Sequence, residues 1–273
     1  MTCALVDAAR TAAADAARAG GAVLAATDRS RVEVTLKDAR VDVTTSADLA
    51  SQAAVVAVLR AAFPQHVIVG EEGTEPGSDA EHVWYVDGLD GTSNFTHGIP
   101  WYCVSVALRC GPDAVAGAVY DPVHDELWSA GRGQGATGNG VPLRVATTGA
   151  LDAAVVVSQI QTSDPGRIAQ FAAMFEQLMN AAGGVRFTGA PALILSHIAA
   201  GHFTGYVERA MPPWDIGAGQ LILEEAGGRL TNLAGVRVAS ADVTDVVATN
   251  GAVHEELLAV LAAPPTVRPT PDR

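Results

Sequence analysis

The sequence predicts an α/β (α+β) chain on three observations: an Ala-rich helical start, a run of short apolar strands broken by turn residues, and regular strand–helix alternation from Leu151 onward. At 273 residues it is too long for a minimal domain and too short for more than two ordinary ones. The composition is 49% hydrophobic and 17% charged, which suits a large core of Ala, Val and Leu and excludes disorder as the main state.

The elements follow in order. Residues 2–27 read as a helix, and Val32, Val34 and Leu36 alternate along a strand over 31–37. Ser46 is the expected N-cap of a second helix that reaches Phe63 and is stopped by Pro64. Apolar strands are expected at 67–70, 83–86, 103–109, 114–120 and 127–130, separated by clusters such as Gly111-Pro112-Asp113, so they read as an antiparallel meander. Beyond Leu151, strands at 153–158, 184–187, 206–208, 229–231 and 246–249 alternate with helices at 164–180, 190–200, 215–226 and 253–261. The change of texture divides the chain into an N-terminal α+β half, 1–148, and a C-terminal α/β half, 149–262. The tail, 263–273, has four prolines among its last ten residues and is expected to be disordered.

Charge narrows the classes of partner. Lys and Arg total 17 against 30 Asp and Glu, a net charge of −13, and no basic cluster interrupts it. Nucleic-acid phosphates would be repelled, whereas a cation would be attracted. Cys3, Cys103 and Cys110 form no CxxC pair, and Cys103 and Cys110 lie seven apart on one strand, on opposite faces. Asp7 and Arg10 interrupt the first turns, so no signal peptide is expected, and no apolar run is long enough to span a bilayer. A cytoplasmic location without membrane contact is the expectation.

The chemistry concentrates in two places. Gly70-Glu71-Glu72 is followed by Trp84-Tyr85-Val86-Asp87-Gly88-Leu89-Asp90-Gly91-Thr92-Ser93-Asn94-Phe95, in which a strand delivers Asp87 and a tight turn sets Asp90 beside it. With Glu71 leaving a neighbouring strand end, three oxygen donors and no nearby His or Cys favour a hard cation, Mg2+ before Zn2+. The Gly91 and Thr92 amides, at the start of a short helix, could face a phosphate. In the second place, Trp214-Asp215-Ile216-Gly217-Ala218-Gly219, Asp215 sits at a helix N-terminus. Singly, Asp87 and Asp90 would be ordinary turn residues and Asp215 an ordinary N-cap. Together they are more.

The ordered set Glu-Glu, Asp-x-x-Asp-Gly-Thr-x-Asn-Phe and Trp-Asp-x-x-Ala-Gly resembles the inositol monophosphatase family of Mg2+-dependent, lithium-sensitive phosphatases. Lys37 and the run Val41 to Asp48, then His97-Gly98-Ile99-Pro100, Gly117 to Pro122 and Glu224 to Gly228 extend the resemblance over nearly the whole chain. It implies a layered αβαβα sandwich of the sugar-phosphatase type with the site between the halves, and a homodimer. It also implies two or three Mg2+ ions: Glu71, Asp87 and the Leu89 carbonyl would hold one, Asp87, Asp90 and Asp215 a second, and Glu71 would help with a weaker third. Thr92 and Glu71 would orient the attacking water and take its proton, while the Gly91 and Thr92 amides cradle the phosphate. Asp90, Asp215, Gly189, Ala190 and Glu208 would border the substrate, Glu208 reading a hydroxyl. Inositol 1-phosphate leads as substrate, followed by histidinol phosphate, 3′-phosphoadenosine 5′-phosphate, fructose 1,6-bisphosphate or another cyclitol phosphate. A weakly active scaffold with a binding or regulatory role is the rival from another class.

Two departures stand out. The family carries Pro where this chain has Gly88, so a looser turn and a less firmly placed Leu89 carbonyl are expected, with Gly88→Pro tightening both. Pro191 falls within the substrate border and is expected to reshape it. Two signals are discounted. Gly133-Gln134-Gly135-Ala136-Thr137-Gly138 fits GxGxxG, yet a strand-like 143–145 follows it instead of a helix. The seven histidines show no metal-spaced pair.

Overall fold

The computed structural model describes residues 3–38, 42–239 and 243–263. Helix α1 (Cys3–Ala26) leads to a two-stranded ribbon, β1 (Val34–Asp38) and β2 (Asp42–Thr45), and then to α2 (Ser46–Ala62). An eight-stranded sheet follows from β3 (His66–Gly70), β4 (Gly73–Glu75), β5 (Asp79–Asp90), β6 (Cys103–Cys110), β7 (Asp113–Asp121), β8 (Glu126–Gly131), β9 (Ala136–Gly138) and β10 (Val141–Pro142), with the short α3 (Thr92–Thr96) between β5 and β6. The rest contributes β11 (Val155–Ser158), α4 (Pro165–Ala181), β12 (Gly184–Arg186), α5 (Pro191–Ala199), β13 (Gly205–Met211), α6 (Pro213–Glu225), β14 (Arg229–Thr231), β15 (Thr244–Thr249) and α7 (His254–Ala262).

Five layers result, because both sheets bury both faces. Along β6, Val104, Val106 and Leu108 join Leu24, Val55, Leu59 and Trp84 beneath α1 and α2. The alternate residues Cys103 and Ala107 join Leu193, Leu195, Leu221 and Leu223 of α5 and α6, which fill the space between the sheets. The second sheet repeats the alternation: Val157, Tyr206 and Val246 face inward, whereas Val156, Val207 and Val247 pack under α4 and α7 with Met174, Leu178 and Leu257. Each fully buried Leu contributes about 1.5–3 kcal/mol. The Cys103 side chain is in the inner layer and that of Cys110 lies against the α1–α2 face, both as free thiols.

The large sheet runs β10-β9-β8-β7-β6-β5-β3-β4 and the smaller one β12-β11-β13-β15-β14. From β5 to β10 the meander is antiparallel, as expected, but β3 pairs with β5 in parallel. The β3–β4 hairpin carries the chain back to the start of β3, so Asp79 begins opposite His66 and both strands run the same way. The N-cap of α2 is Thr45 rather than Ser46: the Thr45 side chain accepts the Ala47 and Asp48 amides, and Asp48 returns a bond to the Thr45 amide. Residues 29–31 form a 3-10 turn capped by Asp28, which delays β1 to Val34. Of the expected tail, 264–273 lie outside the described residues. No helix among the described residues is long and apolar enough to cross a membrane.

Candidate active site

Three separate elements deliver the carboxylates. Asp87 lies near the end of β5, opposite Ser105 of β6. Glu71 leaves β3 with its amide donated to the Val86 carbonyl at 3.1 Å, which fixes it beside Asp87. Asp215 stands in the first turn of α6, whose start is held to β6 by the Ser105 hydroxyl donating to the Trp214 carbonyl at 3.0 Å. Carboxylate oxygens of Glu71, Asp87 and Asp215 all lie within 4.8 Å of one another. Burial first, then the charges of Glu71, Asp90 and Asp215, push the Asp87 carboxyl well above its ordinary range. Carboxylates converging on a buried one are what a divalent cation relieves, and an all-oxygen donor set fits Mg2+.

Asp90 is placed differently from the sequence expectation. Instead of following a tight turn, it is the last residue of β5, paired with Cys103 beyond a bulge at Gly88-Leu89. Its carboxylate is buried, and Oδ2 accepts the Ala192 N–H of α5 at 2.7 Å. Pro191 occupies the first turn of that helix, so Asp90 caps a helix from the other half of the chain. Burial raises its carboxyl to about 7, against which the amide bond works. Asp215 is not an N-cap either: Pro212 holds that position, with no side-chain cap bond.

The Gly88 turn is not loose. Its carbonyl accepts the Ser51 hydroxyl at 2.6 Å, and the Leu89 N–H donates to Asp87 Oδ1 at 2.8 Å. A Cβ at Gly88 would stand 2.6 Å from the Gln52 backbone nitrogen and 3.0 Å from the Asp48 carbonyl. The backbone of α2 has closed onto this position, so glycine is required by space, and the expected benefit of Pro is lost.

The Thr92 hydroxyl lies 2.8 Å from Asp48 Oδ1 and 3.0 Å from the Leu89 carbonyl. Asp48, itself buried and bonded to Thr45, has its carboxyl raised by burial. Sequence reasoning assigned no role to Asp48, although the capping box that fixes it, Thr45 with Asp48 three residues on, is a visible signal. Gly91 precedes α3 at φ +98°, where a Cβ would meet the Trp101 carbonyl at 3.0 Å and the Ala190 Cβ at 3.2 Å. Gly189 (φ +78°) and Ala190 (φ +56°) therefore border the Gly91 turn, Ala190 with its side chain buried. Glu208 is buried on β13, accepts the Tyr206 hydroxyl and has its carboxyl raised to about 8 by burial.

The discounted signals have structural explanations. In the Gly-rich loop, the Gly133 and Gly135 amides each donate to the Glu225 carboxylate at 2.8 Å, so an internal anion fills the cradle. The fold does assemble one group that histidine spacing concealed, His66, Asp79 and His82. There His66 Nδ1 accepts the Trp84 indole N–H at 3.1 Å and His82 Nδ1 pairs with Asp79 at 2.8 Å, while the two rings stack. The indole bond uses the basic nitrogen of His66, so the group reads as a packed aromatic cluster.

A five-layer αβαβα sandwich with carboxylates gathered where two sheet strands meet the N-terminus of a sandwiched helix defines the sugar-phosphatase class of fold. Within that class the chain belongs to the inositol monophosphatase family, whose model matches residues 4–264. It is 37% identical over 209 residues to the Nus factor SuhB of Pseudomonas aeruginosa, covering 75% of this chain and 77% of that one. It resembles the inositol monophosphatase structure from Anabaena (Nostoc) sp. PCC 7120 at TM-score 0.82 and 37% identity, covering 94% and 96% of the two chains. SuhB from Bartonella henselae superimposes at TM-score 0.86 with 32% identity, over 95% of this chain and 98% of that one. An IMPase/NADP phosphatase structure complexed with Mg2+ and phosphate matches at TM-score 0.77 and 26% identity, over 88% and 90%.

Proposed function

We propose that this protein is a Mg2+-dependent phosphate monoester hydrolase acting on a polyol phosphate, foremost inositol 1-phosphate, as a cytoplasmic homodimer. The observation that carries the reading is the convergence of Glu71, Asp87 and Asp215 within 4.8 Å of one another. Those residues, with Asp90 and the Leu89 carbonyl, would hold two or three Mg2+ ions. When bound, the ions neutralise phosphate charge and make water a stronger acid. The Thr92 hydroxyl, donating to Asp48, keeps its lone pairs free to accept from the attacking water and aim it. Glu71 takes the proton. The Gly91 and Thr92 amides bind phosphate oxygens, and Asp90, Asp215, Glu208 and the Gly189-Ala190 segment border the polyol. Lithium at millimolar levels is expected to inhibit by taking the second cation position.

Relatives carrying the name Nus factor favour one further reading, in which this fold binds a protein or nucleic-acid partner and turnover is incidental. Phosphate release over a panel separates the two: inositol 1-phosphate, histidinol phosphate, 3′-phosphoadenosine 5′-phosphate, fructose 1,6-bisphosphate and glycerol 2-phosphate, with Asp90→Asn as the blank. Strong Mg2+-dependent release from one compound supports the hydrolase and names its substrate class. Release no greater than the blank from all of them favours the partner-binding role.

A further inference from the structure

The carboxamide of Asn94, on α3, uses both its hydrogens across the border of the site. Nδ2 donates to the Trp101 carbonyl at 2.8 Å and to the Thr188 carbonyl at 2.9 Å. Trp101, its own carbonyl held by the first of these bonds, adds a third, its indole N–H donating to the Gly189 carbonyl at 2.9 Å. Next in the chain comes Ala190, a non-glycine residue at φ +56° and ψ +77° that is the N-cap of α5 without a side-chain cap bond. A left-handed backbone at Ala is strained and persists only where its surroundings impose it. Two residues further on, the Ala192 amide reaches Asp90 Oδ2 at 2.7 Å. A Cβ added at Gly189 would sit 3.0 Å from Asn94 Nδ2, so the segment is drawn tightly onto the carboxamide.

We propose that Asn94 and Trp101 are positioning residues. The Asn94 carboxamide and the Trp101 indole each hold one carbonyl of 188–190, keeping the segment in its strained path, so that the N-terminus of α5 meets Asp90 and sets that carboxylate for the cation. This rests on the reading of Asp90 as a Mg2+ ligand. Release of the clamp lets Ala190 relax out of the left-handed region, which withdraws the Ala192 amide and frees Asp90 to turn. Neither residue touches the reacting atoms; both act through Asp90.

The test is the Mg2+ dissociation constant, measured calorimetrically without substrate on the full chain, beside KM and kcat for inositol 1-phosphate. Trp101→Phe keeps a ring for the stack on His197 and removes only the indole donor; Asn94→Ala removes both carboxamide donors. Each is expected to weaken Mg2+ binding about 3- to 10-fold, the equivalent of roughly one hydrogen bond, and Asn94→Ala more than Trp101→Phe. Adding Ala190→Gly to Asn94→Ala should recover part of the affinity, because glycine accepts the left-handed conformation without strain. Mg2+ affinity within twofold of wild type in both single variants, with only thermal stability lowered, overturns the proposal. If Asn94→Ala does not fold, Trp101→Phe decides alone. A wild type that binds Mg2+ but hydrolyses no monoester would sink the proposed function while the dissociation constants still decide this one.

Discussion

The Asp90 carboxylate accepts the Ala192 N–H at 2.7 Å, which joins the last residue of a strand in the first sheet to the first turn of a helix that packs under the second. The side chain caps α5, and in the proposed function it also serves the cation. Separating the two roles gives a sharp expectation.

Asp90→Asn keeps an oxygen for the Ala192 amide and loses the charge, whereas Asp90→Ala loses both. The Asn variant should unfold near the wild-type temperature yet release phosphate more than about 100-fold more slowly, beyond what losing a ligand's supporting partner costs. The Ala variant should also lose about 1–3 kcal/mol, the cost of a buried amide without a partner. Thermal denaturation and phosphate release on both variants check this. Equal stability of the two would contradict the capping role.

Gly88→Ala should destabilise by about 1–3 kcal/mol, because the added methyl meets the α2 backbone 2.6 Å away and main chain cannot give way as a flexible side chain can. Gly88→Pro, which carries a Cβ in the same place, should be at least as costly. Denaturant midpoints measure both. A Gly88→Pro variant more stable than wild type would mean that α2 shifts freely.

Much of this site was legible from residue order, and the reasons are local. Glu71, Asp87 and Asp215 could be singled out because each ends a strand or opens a helix, and such signals are carried by neighbouring residues. The second role of Asp90 was hidden because its partner lies 102 residues away. Gly88 was misread for a similar reason. A sequence shows that a proline is missing, but not that the backbone of α2 occupies its place. The parallel pairing of β3 with β5 was missed because a three-residue strand, β4, turned the chain back without a strong sequence pattern. The pairing of the Gly133 and Gly135 amides with Glu225 spans some 90 residues, which loop composition does not encode.

Glu208 sets a pH dependence of stability. Its carboxyl is raised from 4.5 to about 8 by burial, so the folded protein keeps a proton that the unfolded chain has released. The contribution is complete below the unfolded value of 4.5 and is lost as pH rises through about 8, so stability should fall across that window. Glu208→Gln, neutral at every pH, should flatten the slope. Urea midpoints for both proteins across the window give the comparison, and parallel slopes would mean that Glu208 is ionised in the fold.

In the proposed function, the carboxylates of Glu71, Asp87 and Asp215 form a Mg2+ site that drives phosphate release. The most direct measurement is the rate of phosphate release from inositol 1-phosphate as Mg2+ is titrated back after chelation, for wild type and for Asp215→Asn. The expected result is no release without Mg2+, saturable recovery in wild type, and a loss of more than about 100-fold in Asp215→Asn at the same Mg2+ concentration. Release that survives chelation, or an Asp215→Asn variant as active as wild type, would contradict it.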